Sequence, residues 1–157
     1  MKLLEIERAN LKDRDFLRSM IWEAVKASPT FVATTGLQKV RQIEDVYWDN
    51  WQPQTDPAFV ALSQGKPIGA IVLKPNLKVL EKMIGWQFGI GIVEAERGKG
   101  VGRQLIEYAI DYCRVNSAQY LTLFVDPSNQ AAKKLYTNLG FRQVAHIMGL
   151  DEMRLVF

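Results

Sequence analysis

The chain has 157 residues, 48% of them hydrophobic and 24% charged, and its 20 Lys+Arg against 17 Asp+Glu leave a formal net charge of +3. That length and apolar content suit one domain with a sizeable core, and the composition excludes collagenous, disordered and disulfide-scaffold classes. Cys113 stands alone, so an internal disulfide is impossible, and the small positive charge falls short of the basic stripe of a nucleic-acid binder. No repeat or linker divides the chain, so residues 1–157 are expected to form a single domain. No apolar run approaches the roughly 18 residues of a membrane span. The opening residues Met1 to Arg8 turn acidic too soon for a signal peptide, and a cytoplasmic location is expected.

Residues 2–7 alternate loosely and open a sheet. Asn10 and Asp13 supply cap chemistry for a helix with the stripe Phe16, Leu17, Met20, Ile21, Ala24 and Val25, which Ser28-Pro29 ends. Leu37, Val40, Ile43, Tyr47 and Trp51 predict a second helix that stops before Pro53. Residues 58–62 and 67–73 read as strands joined by Ser63-Gln64-Gly65-Lys66, a hairpin with a turn glycine. In the next strand, 83–92, one face carries Ile84, Trp86, Phe88, Ile90 and Ile92, and the other Gly85, Gln87, Gly89 and Gly91. A face so bare means either a sheet crowded against a helix or the close approach of a ligand, and both remain open here. A helix begins near Val101, with Leu105, Ile106, Ala109, Ile110 and Cys113 on its apolar face. Tyr120 to Val125 is an apolar strand buried on both sides. Asp126-Pro127-Ser128-Asn129 caps a further helix, with Ala131, Ala132, Leu135, Tyr136 and Leu139 inward and Gly140 at C′. Strands over 141–148 and 152–156 close a mixed α/β sheet.

Arg97-Gly98-Lys99-Gly100-Val101-Gly102-Arg103 lies between the bare-faced strand and a helix N-terminus. Small residues there let backbone N–H groups turn toward one point, and the helix end adds about half a positive charge. Such an assembly attracts a phosphate or pyrophosphate, although a solvated glycine turn explains the glycines equally well. The segment has no P-loop register, and a dinucleotide fingerprint from Gly98 and Gly100 would need glycine where Arg103 stands. Asp126 imitates the ribose-binding acid of that fingerprint, so an NAD(P)-binding domain is the competing fold.

Arg97-x-x-Gly100-x-Gly102 resembles the Q/R-x-x-G-x-G/A signature of the GNAT superfamily of acyl-CoA-dependent N-acetyltransferases. Asn129, Ala132, Leu135-Tyr136 and Gly140-Phe141 are similar to the second block of that family, N-x-x-A-x-x-L-Y-x-x-x-G-F. The resemblance covers about residues 84 to 141. It implies a GNAT fold: a mixed, mainly antiparallel central sheet splayed at an acetyl-CoA cleft, with helices on both faces. It further implies transfer of the acetyl group of acetyl-CoA directly to a primary amine, without a metal. Amides from Gly98 through Lys99, Gly100, Val101 and Gly102 to Arg103, with Arg97 beside them, would hold the pyrophosphate. Main-chain groups of Ile90 and Ile92 would pair with the pantetheine arm, and the Ile92 amide would polarise the thioester carbonyl. The bare strand face would then leave room for arm and acceptor. Asn129 would hydrogen-bond the pantetheine, Tyr136 would protonate the departing thiolate, and Lys133 or Lys134 would reach the 3′-phosphate.

The pattern departs from the family in one respect. The acceptor ammonium must lose a proton, and the strand position that often carries a glutamate is Phe124. Glu81, Glu94 and Asp126 are expected to be solvated turn acids and His146 a surface or core residue, so the base is unassigned. A non-catalytic acyl-CoA sensor therefore competes with the enzyme. Trp22, Trp48, Trp51 and Trp86 are candidates to line an acceptor pocket, with core packing the default for each, and Cys113 is expected in a helix core; Glu44, Asp45 and Asp49 fit a site for a cationic amine and a charged exposed helix face equally well. The acceptor amine is not legible, no nucleic-acid or membrane partner is expected, and a homodimer is compatible with the size.

Overall fold

Seven strands form one sheet in the order β1-β2-β3-β4-β5-β7-β6, and β4–β5 is the parallel pair within an otherwise antiparallel ladder. The computed structural model describes residues 3–78 and 82–157; Met1, Lys2 and the candidate acid Glu81 lie outside them. The strands are β1 (Glu5–Arg8), β2 (Ala58–Ser63), β3 (Lys66–Lys78), β4 (Met83–Ile92), β5 (Tyr120–Val125), β6 (Arg142–Ile147) and β7 (Leu150–Val156). The helices are α1 (Arg14–Lys26), α2 (Pro29–Thr35), α3 (Leu37–Asp49), α4 (Val101–Val115) and α5 (Gln130–Asn138). This is the mixed, mainly antiparallel sheet expected from the sequence. A doubly wound parallel sheet, which the dinucleotide alternative requires, is not what forms.

Period-two alternation sorts the side chains onto two cores. Phe59, Ile71, Leu73, Phe88, Leu121, Leu123 and Met153 face α4 and α5, where Leu105, Ile106, Ala109 and Cys113 meet them. Ala58, Val60, Ala70 and Val72 face α1 and α3, against Leu17, Ile21, Trp48 and Trp51. Trp48 and Trp51 are therefore core, and so is Cys113, whose thiol burial pushes up to about 12. Trp22 instead lines an open cavity of about 340 Å³ between α1 and α3, with the Arg41 guanidinium 4.8 Å from its ring centroid. No helix among the described residues is long and apolar enough to cross a membrane.

Three local features differ from the sequence expectation. Ser28-Pro29 does not merely end a helix. Ser28 accepts from Phe31 N at 3.3 Å and starts α2, with Pro29 in its first turn, a start signal readable in the sequence. β3 runs past Leu73 through Pro75, which pairs with Trp86. The proline loses no ladder bond, because its nitrogen faces the β2 side and β2 stops at the Ala58–Val72 pair. Ala131 is exposed rather than inward.

Candidate active site

The site begins where the sheet splits. β4 and β5 pair only over Gly85–Tyr120, Trp86–Leu121 and Gln87–Thr122. Beyond Gln87, β4 continues to Ile92 bonded to β3 alone, and beyond Thr122, β5 continues bonded to β7 alone. The result is a wedge between two strand edges.

The parity of β4 decides which main-chain groups face it. Ile84 O accepts from Gln119 N on the β5 side at 2.9 Å, whereas Val93 N donates to Ile68 O on the β3 side at 2.9 Å. With an unbroken register between them, Phe88, Ile90 and Ile92 point their N–H and C=O groups into the wedge. The sequence-derived pair Ile90 and Ile92 thus lies on the open edge. One of these groups is already engaged: Arg97 Nε donates to Ile92 O at 3.1 Å. The motif arginine clasps the end of β4 to the glycine loop.

The loop itself has the geometry of an anion cradle. Gly98 and Gly100 take φ of +76° and +85°, the left-handed region that favours glycine. Gly100 is the N-cap of α4 and, having no side chain, supplies no side-chain cap bond. The amides of Val101, Gly102 and Arg103 are left directed past the helix end. Gly102 is not required by packing, since a methyl group there would stand in ordinary contact, 4.0 Å from Ile92 Cγ1. The nearby cations are moderated locally, Lys99 by Glu96 at 3.5 Å and Arg103 by Glu107 at 3.1 Å. Gly100→Val forces a branched side chain into the left-handed region, at a cost of about 1–2 kcal/mol per residue. It is expected to weaken acetyl-CoA binding by about tenfold or more, read by calorimetry.

Tyr136 sits on α5, the helix that follows the free end of β5. Its ring packs edge-on against Phe88 and Phe141, with centroids 6.0 and 6.1 Å apart. Below it, Phe141 N donates to Tyr136 O and Gly140 N to Thr137 O, both at 3.0 Å. With Gly140 at φ +98°, this is a Schellman end that fixes the last turn of α5. Tyr136 is 8% exposed, and burial pushes its hydroxyl up to about 12. Among the described residues, none bonds that hydroxyl.

The other expected residues lie on α5 and at its cap. Asn129 caps α5, its Oδ1 accepting from Ala132 N at 3.2 Å. Lys133 does not project from the helix surface: its Nζ donates to the buried carboxylate of Asp151 at 2.7 Å. Lys134 is exposed. His146 also meets Asp151, Nδ1 to Oδ1 at 2.7 Å. Lys133 first and His146 second hold the Asp151 carboxyl well below the usual range. Glu152, 1% exposed, accepts from Thr122 Oγ1 at 2.7 Å and Arg154 Nη2 at 3.1 Å. These buried acids are not legible in the sequence, because an isolated Asp-Glu pair in a late strand carries no spacing signal.

Two expectations are corrected by packing. The glycine face of β4 does not stand open for arm and acceptor. A methyl group on Gly91 would collide with the main chain of Met20 in α1, one on Gly85 would lie 2.6 Å from Tyr120 Cζ, and one on Gly89 3.5 Å from Ile21 Cδ1. The strand is bare because a helix backbone and an aromatic ring occupy the space. Asp126 is not a solvated turn acid but 7% exposed, and hydrogen bonds from Ser128, Thr30 and Ser28 hold its carboxyl far below the usual range against its burial. Because the folded value is the lower one, the ionised form favours the fold. Its contribution is complete above about pH 5 and is lost as pH falls through the folded value. Asp126→Asn is therefore expected to lower Tm at neutral pH and to flatten its fall between about pH 5 and pH 2, measured by thermal melts across that range.

Glu94, by contrast, is exposed, as expected.

Residues 18–141 match the model of the Acetyltransferase (GNAT) family. The chain belongs to the GNAT acetyltransferase family. Mycothiol acetyltransferase of Beutenbergia cavernae is 29% identical over 108 residues, 69% of this chain and 36% of that protein. N-alpha-acetyltransferase 30 of Schizosaccharomyces pombe is 31% identical over 84 residues, 54% of this chain and 56% of that protein. The chain thus spans between about a third and just over half of these relatives. Among solved structures, an N-acetyltransferase from Staphylococcus aureus superposes with TM-score 0.76 at 18% identity, covering 99% of both chains. A putative acetyltransferase from Salmonella typhimurium, solved with its cofactor acetyl-CoA, gives TM-score 0.76 at 19% identity over 99% of this chain and 94% of that one. The GNAT fold is therefore shared along the whole chain.

Proposed function

We propose that this GNAT domain is an N-acetyltransferase that passes the acetyl group of acetyl-CoA directly to a primary amine. The observation that carries the reading is the coincidence of three features on one wedge. The main-chain edge of Ile90 and Ile92 faces it, the loop of Gly98 to Arg103 follows the free end of β4, and the Tyr136 ring packs on Phe88 of the same strand. Acetyl-CoA supplies an activated acyl carbon and a thiol leaving group. The cradle amides bind the pyrophosphate, and the edge of β4 aligns the pantetheine as an added strand would be aligned. A fixed N–H at Ile92 opposes the charge that grows on the carbonyl oxygen, a contribution of about 2.7–4 kcal/mol for one such donor. Tyr136 gives its proton to sulfur, the C–S bond breaks as the C–N bond forms, and the nitrogen proton restores the phenol.

The amine must arrive neutral. Asp126, Asp151 and Glu152 each already hold hydrogen-bond donors. The acceptor's own acidity therefore matters, and an α-amino group, near pKa 7.7–8.0, is far more often neutral at pH 7.5 than an alkyl amine near about 10.4. Two curated relatives carry the name N-alpha-acetyltransferase, so peptide α-amines head the assay panel. Thiol release from acetyl-CoA is measured with alanyl, seryl and methionyl peptides beside spermidine and free lysine. Acceptor-dependent release above the water rate is expected for at least one α-amine. Acetyl-CoA binding without acceptor-dependent release would leave a sensor in place of an enzyme, and preferential binding of NAD(P) would overturn both.

A further inference from the structure

The two arms of the wedge share no ladder beyond Gln87 and Thr122, yet their separation has to be set by something. α1 rests on one arm, with Met20 over Gly91 and Ile21 over Gly89. The chain then runs through Ser28 to the tip of the other arm, where Asp126 follows β5. Asp126 accepts four hydrogen bonds there. Two come from its own corner, Ser128 N at 3.0 Å and Ser128 Oγ at 2.6 Å. Two come from the α1–α2 corner, Ser28 Oγ at 2.9 Å and Thr30 N at 3.0 Å, some 98 and 96 residues away in sequence. The β6–β7 turn presses on the same corner, since a methyl group on Gly149 would lie 2.5 Å from Thr30 Cγ2.

We propose that Asp126 is a positioning residue for acetyl transfer: a carboxylate latch at the tip of β5 that straps the α1–α2 corner across the wedge and fixes the gap through which the acceptor amine reaches the thioester. The proposal rests on the wedge being the coenzyme site. A carboxylate is suited to the task because it is acceptor-only, with about four lone-pair sites for four donors. An asparagine would set an N–H₂ group against the donors it must receive. Burial strengthens such charge-assisted bonds relative to the same bonds in water. Turn-capping alone does not account for the arrangement, because the two Ser128 bonds already serve that turn.

The test compares Asp126→Asn, Ser28→Ala and Ser28→Thr, which alter the cross-wedge bonds, with Ser128→Ala, which alters only the corner; Ser28→Ala also removes the α2 cap on Phe31 N, so its exchange is read against Asp126→Asn, which keeps that cap. Amide exchange of residues 30–35 is followed in the free protein, acetyl-CoA affinity by calorimetry, and kcat and KM with an alanyl peptide. Asp126→Asn and Ser28→Ala are expected to speed exchange over 30–35 at least tenfold. They should lower kcat with the peptide by a similar factor and leave acetyl-CoA affinity within twofold. Ser28→Thr should recover both quantities, and Ser128→Ala should change kcat less than twofold. Unchanged exchange in Asp126→Asn, or equal loss of kcat in Ser128→Ala, would overturn the latch. Should Asp126→Asn not fold, the kcat of Ser28→Ala decides, since loss of the α2 cap alone speeds exchange without lowering kcat. A wild type that turns over no amine would sink the acetyltransferase reading, and the exchange measurements would still decide whether Asp126 straps the corner.

Discussion

Tyr136→Phe is expected to lower kcat by about 10²–10⁴-fold while acetyl-CoA affinity stays within about twofold of wild type. The ring makes the packing contacts with Phe88 and Phe141, and phenylalanine keeps them. Only the hydroxyl is lost, and no described residue depends on it. Burial holds the hydroxyl up at about 12, so it stays protonated at every working pH and is always available as a donor. The transfer to a thiolate of reference pKa near 8.5 is then uphill by about 5 kcal/mol, which fits within the barrier of about 16 kcal/mol for turnover near 10 s⁻¹. The sign gives a second readout: the wild-type kcat profile should show no alkaline limb from this group below about pH 11. Full activity in Tyr136→Phe would remove the acid role.

Gly91→Val should be the most damaging substitution for stability. Its first methyl group would meet Met20 main chain, and a helix backbone cannot rotate away as a side chain tip does. Overpacking typically costs 1–3 kcal/mol, and a backbone collision on a central strand belongs at or above the upper end, a loss of roughly 6–12 °C in Tm at this chain length. Gly98→Ala is the control, since nothing lies within 4 Å of a methyl group there; only its left-handed φ is strained. A Gly91→Val protein melting within two degrees of wild type would show that α1 does not rest on β4 as described.

The contrast between these residues shows what was legible in the sequence. The glycine loop, α4 and the Asn129-to-Phe141 block announce themselves because their chemistry is local: φ, caps and helix ends follow from neighbours in the chain. The alternation of β4 was equally plain, but which object filled its bare face was not, since Met20 and Tyr120 arrive from distant sequence. The same holds for Asp126. Its short-range role as a turn residue reads directly from Asp-Pro-Ser-Asn, whereas its bonds to Ser28 and Thr30 exist only after the sheet brings β5 to α1. Lys133 shows the same dependence on distant sequence. A helix-surface lysine reads as free to reach a phosphate until β7 places the buried Asp151 beside it.

Acetyl-CoA is expected to lie along the open edge of β4 with its pyrophosphate in the cradle before α4. An amide NMR titration with coenzyme A tests it most directly. The largest shifts should fall on Gly98 to Arg103, Ile90 and Ile92, with Gly91, whose amide faces β3, moving less. Saturation with those amides unmoved, or with the shifts gathered on another face of the sheet, would contradict it.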